Sequence, residues 1–179
     1  MLALRVCKTL SMEDAGWRFL FVGDAPAGFG HYQSKAASEE AAYKQEVFDF
    51  VTQRGLSEVV CFAGKRNDAI RLIASADVLL STSVHEGFPN VVLEAMAAGT
   101  PVVSTAYSDI ERILPERWQI APQRDPQQLA QRVQRAFEQH DALAAAQRTF
   151  VECEATVDIS ARRMLGVFQQ YVSTKAGKT

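Results

Sequence analysis

Short apolar runs recur along this chain between segments of helical period, and that alternation constrains its fold more than any other feature. The runs fall at residues 19–22, 59–62, 77–82 and 101–104, with a fifth, smaller one at 118–121. Each is strand length, and turn residues such as Gly23 and Gly64 stop the first two. Between them lie helical stretches. One is expected to end near Glu13 and Asp14. Another runs from 38 to 54, with Tyr43, Val47, Phe50 and Val51 on one face and Gly55 as terminator. Asn67 is placed to cap a third helix carrying Ile70, Leu72 and Ile73, and a short helical turn covers 110–114. Asp125-Pro126 supplies a cap and a first-position proline for a helix with Leu129, Val133 and Phe137 at four-residue spacing. Two more helices are expected at 141–153 and 159–172. Buried strands alternating with helices require a parallel sheet with helices on its faces. The fold class is therefore α/β, a doubly wound parallel sheet flanked by helices.

One stretch is richer in chemistry than the rest: Ser83-Val84-His85-Glu86-Gly87-Phe88-Pro89-Asn90-Val91-Val92-Leu93-Glu94-Ala95-Met96-Ala97-Ala98-Gly99. Pro89 and Gly99 bracket a helix of about three turns, with Pro89 expected at its first position. The helix is apolar on every side except at Glu94. A carboxylate there is costly unless paired or hydrogen-bonded, so Glu94 is expected to face a cleft or meet a partner. Glu86 lies on the loop just before the helix. There the unpaired N–H groups of Phe88, Asn90 and Val91 are expected to be open to an anionic or oxygen-rich ligand.

These residues, Glu86-Gly87-Phe88-Pro89 through Glu94-Ala95-Met96-Ala97-Ala98-Gly99, resemble the signature of the nucleotide-sugar-dependent glycosyltransferases with two Rossmann-like domains, the GT-B fold, group 1 and family-4-like. The resemblance implies a single nucleotide-sugar-binding domain over 1–179, the C-terminal, donor-binding half of such an enzyme, with 159–179 as its last helix and a frayed tail. It implies transfer of a sugar, with retention, from a UDP-, GDP- or ADP-linked donor to a glycan, lipid or other acceptor, and no further cofactor. Glu94 would accept from the ribose hydroxyls, as a carboxylate can for a diol. Glu86, the catalytic candidate, would hold hydroxyls of the transferred sugar near the reacting carbon. Gly87, Phe88, Pro89, Asn90 and Val91 would line the donor. Gly23-Asp24-Ala25-Pro26 resembles the family's Gly-Asp-Gly-Pro turn, although plain turn chemistry would produce the same residues. Gly64 and Lys65 stand where the nucleotide base tends to lie. Lys65-Arg66 reads equally as a solvated charge pair. Tyr107 and Ser108 replace two glycines of the family pattern, and His85 reads as a neighbour of the motif.

The same resemblance implies two absences. A strand whose loop carries a basic pair for the donor diphosphate would come before the first helix, in the central place of the sheet. An acceptor-binding N-terminal domain would come before that. The chain is thus expected to lack the first, central strand, to be incomplete for catalysis by itself, and to self-associate through the open slot. It is also expected to be cytoplasmic, meeting the inner membrane face only through its other half.

Composition narrows the alternatives. A formal net charge of −2 gives no basic field for nucleic acid. No apolar run approaches a membrane span. Cys7, Cys61 and Cys153 are odd in number and far apart, and read as free thiols. No spacing of histidine and cysteine suggests a metal site. A binding module that recognises a nucleotide sugar without transferring it remains the competing reading. A nicotinamide binder would need Gly-x-Gly-x-x-Gly after a strand, and none occurs.

Overall fold

The computed structural model describes residues 1–23 and 35–176. In chain order the elements are α1 (Leu2–Glu13), β1 (Phe19–Val22), α2 (Lys35–Gln53), β2 (Val60–Gly64), α3 (Ala69–Ala74), β3 (Leu79–Ser81) and α4 (Asn90–Ala98). There follow β4 (Val102–Thr105), α5 (Ile110–Ile113), a 3-10 turn at Arg117–Gln119, β5 (Ile120–Ala121), α6 (Pro126–Glu138), α7 (His140–Glu154) and α8 (Val157–Ala176). The expected alternation is present, and every strand pairing is parallel. Asp24, the rest of the Gly-Asp-Ala-Pro turn and the final three residues of the expected frayed tail lie outside the described residues.

The sheet is in two parts. β1 pairs with β2, and separately β3, β4 and β5 pair in that order. Among the described residues no ladder joins β1 to β3, so the sheet is interrupted between them, the place where the family resemblance expects a central strand. Helix α1 spans the break. Its Val6 and Leu10 share one apolar cluster with Phe19 of β1 and with Leu80 of β3.

Alternation along each strand sorts the core into faces. Leu80, Val103 and Ala121 point to the α1/α6 side, with Leu129, Ala130 and Val133 of α6 packed over them. Leu79, Val102 and Ile120 point the other way, to Val92, Ala95 and Met96 of α4, Ile110 and Ile113 of α5, and Phe150 and Val151 of α7. The three-stranded part is therefore doubly wound. Among the described residues the two-stranded part is covered on one face, by α1 and α2 through Leu4, Cys7 and Val51. On its other face Leu20 is 49% exposed and Val22 41%.

Two helix starts differ from the sequence expectation. Pro89 is not the first helical residue of α4; it occupies the cap position, with φ −82° and ψ 69°. Asn67 does not cap α3. The cap residue is Asp68, whose side chain makes no capping bond because Arg66 holds it in a two-pronged pair, both contacts at 2.8 Å.

Candidate active site

The C-terminal ends of parallel strands are where open α/β sheets take ligands, and the loop from Ser81 to Pro89 leaves β3 at that end. Its shape is set by hydrogen bonds from two neighbouring loops. Ser81 Oγ meets Tyr107 Oη at 3.1 Å in a buried contact. Thr105 Oγ1, at the end of β4, donates to the Ser83 carbonyl at 2.7 Å, and Arg124 Nη1, beyond β5, donates to the same oxygen at 3.0 Å. Ser83 Oγ then donates to Glu86 Oε1 at 2.6 Å, and Ser108 Oγ to the Glu86 carbonyl at 2.9 Å. Glu86 is thus fixed at both its carboxylate and its backbone while its side chain stays exposed.

Sequence reasoning missed these supporting residues. One signal was available: Ser108 stands where the resembled pattern has glycine. Its φ is +39°, in the left-handed region that disfavours a side chain. Serine keeps that backbone and adds the hydroxyl that ties down Glu86.

Glu94 faces outward. On α4 the residues Val92, Ala95 and Met96 are buried, whereas Asn90, Val91, Glu94 and Ala97 form an exposed stripe. Helical rise puts Glu94 about 6 Å along the axis from Asn90, on the face that begins beside the Glu86 loop. Among the described residues no cation lies within ion-pair distance of Glu86 or Glu94. The expectation of three open amides is corrected at one of them. The Asn90 N–H donates to the Phe88 carbonyl at 2.9 Å, closing a tight turn around Pro89, so among the described residues the amides of Phe88 and Val91 are left open. Gly87 has no positive φ, and a methyl added there would meet nothing within 4 Å. Neither strain nor packing within the chain demands a glycine there, and the backbone is bare toward solvent. Phe88 is exposed, Pro89 is buried beneath it, and His85 is exposed beside Glu86.

The second group of candidates gathers at the ends of β1 and β2. Gly23 N donates to Gly64 O at 2.9 Å, and both glycines have positive φ, +127° and +62°. Lys65 follows, beside a shallow cavity of about 420 Å³ lined by Lys65, Arg66, Asn67 and Asp68. Of the two basic residues there, Arg66 is committed to Asp68, which lowers the Asp68 pKa and raises that of Arg66. The structure brings Gly23, Gly64 and Lys65 together and, separately, Glu86 to Glu94. Both groups lie at the C-terminal ends of their strands, on either side of the break in the sheet. A larger cavity, about 690 Å³, opens beside Phe48, Ser57 and Cys61 along β2, and includes no residue of either group.

Comparison with known proteins identifies the family and the fold. The family model for group 1 glycosyltransferases matches residues 1–139. The lipopolysaccharide core biosynthesis glycosyltransferase LpsE of Rhizobium meliloti is 42% identical over 62 residues, 35% of this chain and 18% of that protein. The 2-deoxystreptamine glucosyltransferase of Streptomyces kanamyceticus is 39% identical over 97 residues, 52% of this chain and 21% of that one. Among solved structures, Anabaena HepE in complex with UDP superposes with a TM-score of 0.78 at 22% identity, covering 94% of this chain and 44% of HepE. The chain therefore spans less than half the length of these relatives. A family model matched over residues 1–139, on a Rossmann-like domain that carries two exposed glutamates at the signature spacing, leads to one conclusion: the chain belongs to the group 1 glycosyltransferase family.

Proposed function

We propose that this chain is the donor-binding part of a retaining glycosyltransferase, and that a nucleoside diphosphate sugar lies across the Glu86–Glu94 face. The observation that carries the reading is the pairing of two exposed carboxylates, neither beside a cation among the described residues, with the open amides of Phe88 and Val91. Carboxylates accept hydrogen bonds only, as sugar hydroxyls require, and amides at a helix start donate to phosphate oxygens. Glu94 would take the ribose hydroxyls. Glu86, steadied by Ser83 and Ser108, would take hydroxyls of the departing sugar. As the bond from the sugar carbon to the diphosphate lengthens, negative charge grows on the phosphate. The positive end of α4 and the two open amides would stabilise it there. No metal or cofactor enters this scheme.

Relatives support the donor class: HepE has been solved with UDP and with UDP-glucose. The acceptor, a glycan or lipid, would be bound by a second domain, and the reaction would take place on the cytoplasmic side. Titration calorimetry with UDP and UDP-glucose tests the reading. Binding is expected, weaker for Glu94→Gln, with no sugar transfer by this chain by itself. A chain that binds neither compound would overturn it, and transfer to an added acceptor would overturn the division of labour between two domains.

A further inference from the structure

Arg124 was not among the residues that the sequence singled out, yet it reaches the centre of the site. It follows β5, is exposed, and donates one N–H from Nη1 to the Ser83 carbonyl at 3.0 Å. That carbonyl is already satisfied by Thr105 Oγ1 at 2.7 Å, so the loop does not need an arginine to avoid an unpaired acceptor. A guanidinium offers five N–H donors in a rigid fork. Among the described residues one of the five is used, and no carboxylate lies within 4.0 Å of it. The neighbouring Ser83 hydroxyl is turned to Glu86 at 2.6 Å.

Helix α1 joins the start of β1 through a five-residue connection, so its N-terminal turn lies at the other, C-terminal end of the sheet. The Met1 ammonium has its pKa lowered chiefly by burial; Glu46 opposes that, and Arg5 and Arg124 add to it. Arg5 and Arg124 are therefore close enough to act on one group at the start of α1. Arg124 and the start of α1 thus lie at the same end of the sheet as the Glu86 loop.

We propose that Arg124 binds the diphosphate of the donor, with its free N–H groups on phosphate oxygens while the bond to Ser83 aims the guanidinium from the Glu86 loop. This rests on the nucleotide-sugar reading above and adds a cation to it. The alternative is that Arg124 only staples the loop.

Calorimetric titrations with UDP and with uridine, on the unsubstituted chain and on Arg124→Gln, Arg124→Lys and Thr105→Val, separate the two. Arg124→Gln is expected to weaken UDP about tenfold while uridine changes less than about twofold, because the lost bonds are charge-assisted and reach only the phosphates. Arg124→Lys is expected to recover part of the loss by keeping the charge without the fork. The fall of UDP affinity with added salt is expected to be shallower in Arg124→Gln than in the unsubstituted chain. Thr105→Val removes the other Ser83 bond and is expected to weaken UDP and uridine alike. Equal losses for UDP and uridine in Arg124→Gln, or no loss for either, would overturn the assignment. A chain whose affinity for UDP does not exceed that for uridine, before any substitution, would overturn the diphosphate reading itself and this assignment with it.

Discussion

Glu94 and Glu86 are alike in charge and exposure but not in how they are held. Glu86 is fixed by two serine hydroxyls, whereas Glu94 has no partner within the described chain and relies on its place on α4. Replacing Glu94 therefore removes little from the free protein, and its effect should appear in binding. Glu94→Ala is expected to weaken UDP by about 1.5–3 kcal/mol, the range for a hydrogen bond to a charged group, with the circular dichroism spectrum unchanged. Unaltered affinity in calorimetry would remove the ribose role. The cysteines invite a second test. Burial drives the Cys7 thiol up to about 12, so at pH 8 it stays protonated and enclosed, while Cys61 and Cys153 are exposed. Labelling of the native chain with a thiol reagent should modify two cysteines quickly and the third only after unfolding. Rapid labelling of all three would show that α1 opens readily.

At the scale of elements, what could be read from the sequence was what local chemistry decides. Asp125 accepts from Gln127 N at 2.9 Å with Pro126 just inside α6, as the residue types required. Asp125→Ala should cost about 1 kcal/mol in urea unfolding, with little effect on nucleotide binding. Gly99 likewise closes α4 at φ +83°. An alanine there would be strained, and its methyl would fall on the Arg148 guanidinium of α7, so Gly99→Ala should lower stability by about 1–2 kcal/mol or more. A melting temperature equal to that of the unsubstituted chain would contradict this. Where tertiary partners decide, local reading failed. Trp118 and Gln119 were expected in a strand, but Gln119 sits in the 3-10 turn with its buried amide donating to the Val102 carbonyl at 2.6 Å. Asn67 is not the cap of α3 because the helix begins one residue later, with Asp68 at the cap position and its carboxylate held by Arg66. The Glu86–Glu94 motif was legible because it is contiguous. Thr105, Ser108 and Arg124 were not, because the loops after β4 and β5 reach that motif only once the sheet forms.

On the scale of the molecule the interrupted sheet matters most. Residues of a parallel strand present their hydrogen-bonding groups to alternate edges. Phe19 N donates to Val59 O, so Leu20 and Val22 present theirs to the opposite edge of β1. Leu79 N donates to Pro101 O, so Leu80 presents its own away from β4. Among the described residues those edges have no ladder between them, although α1 packs against both strands. β4 differs: it is paired on both sides, and all four of its residues are buried. Protection from hydrogen exchange follows pairing and burial. In the isolated chain at micromolar concentration, the amides of Leu20, Val22 and Leu80 are therefore expected to exchange orders of magnitude faster than those of Val103 and Thr105. If the edges instead recruit a strand, as open apolar edges do, their protection should rise with protein concentration, in step with the mass measured by light scattering. Edge amides protected as strongly as β4 at every concentration, in a chain that stays monomeric, would show that β1 and β3 are bridged within the molecule and that the break in the sheet is not a feature of the protein in solution.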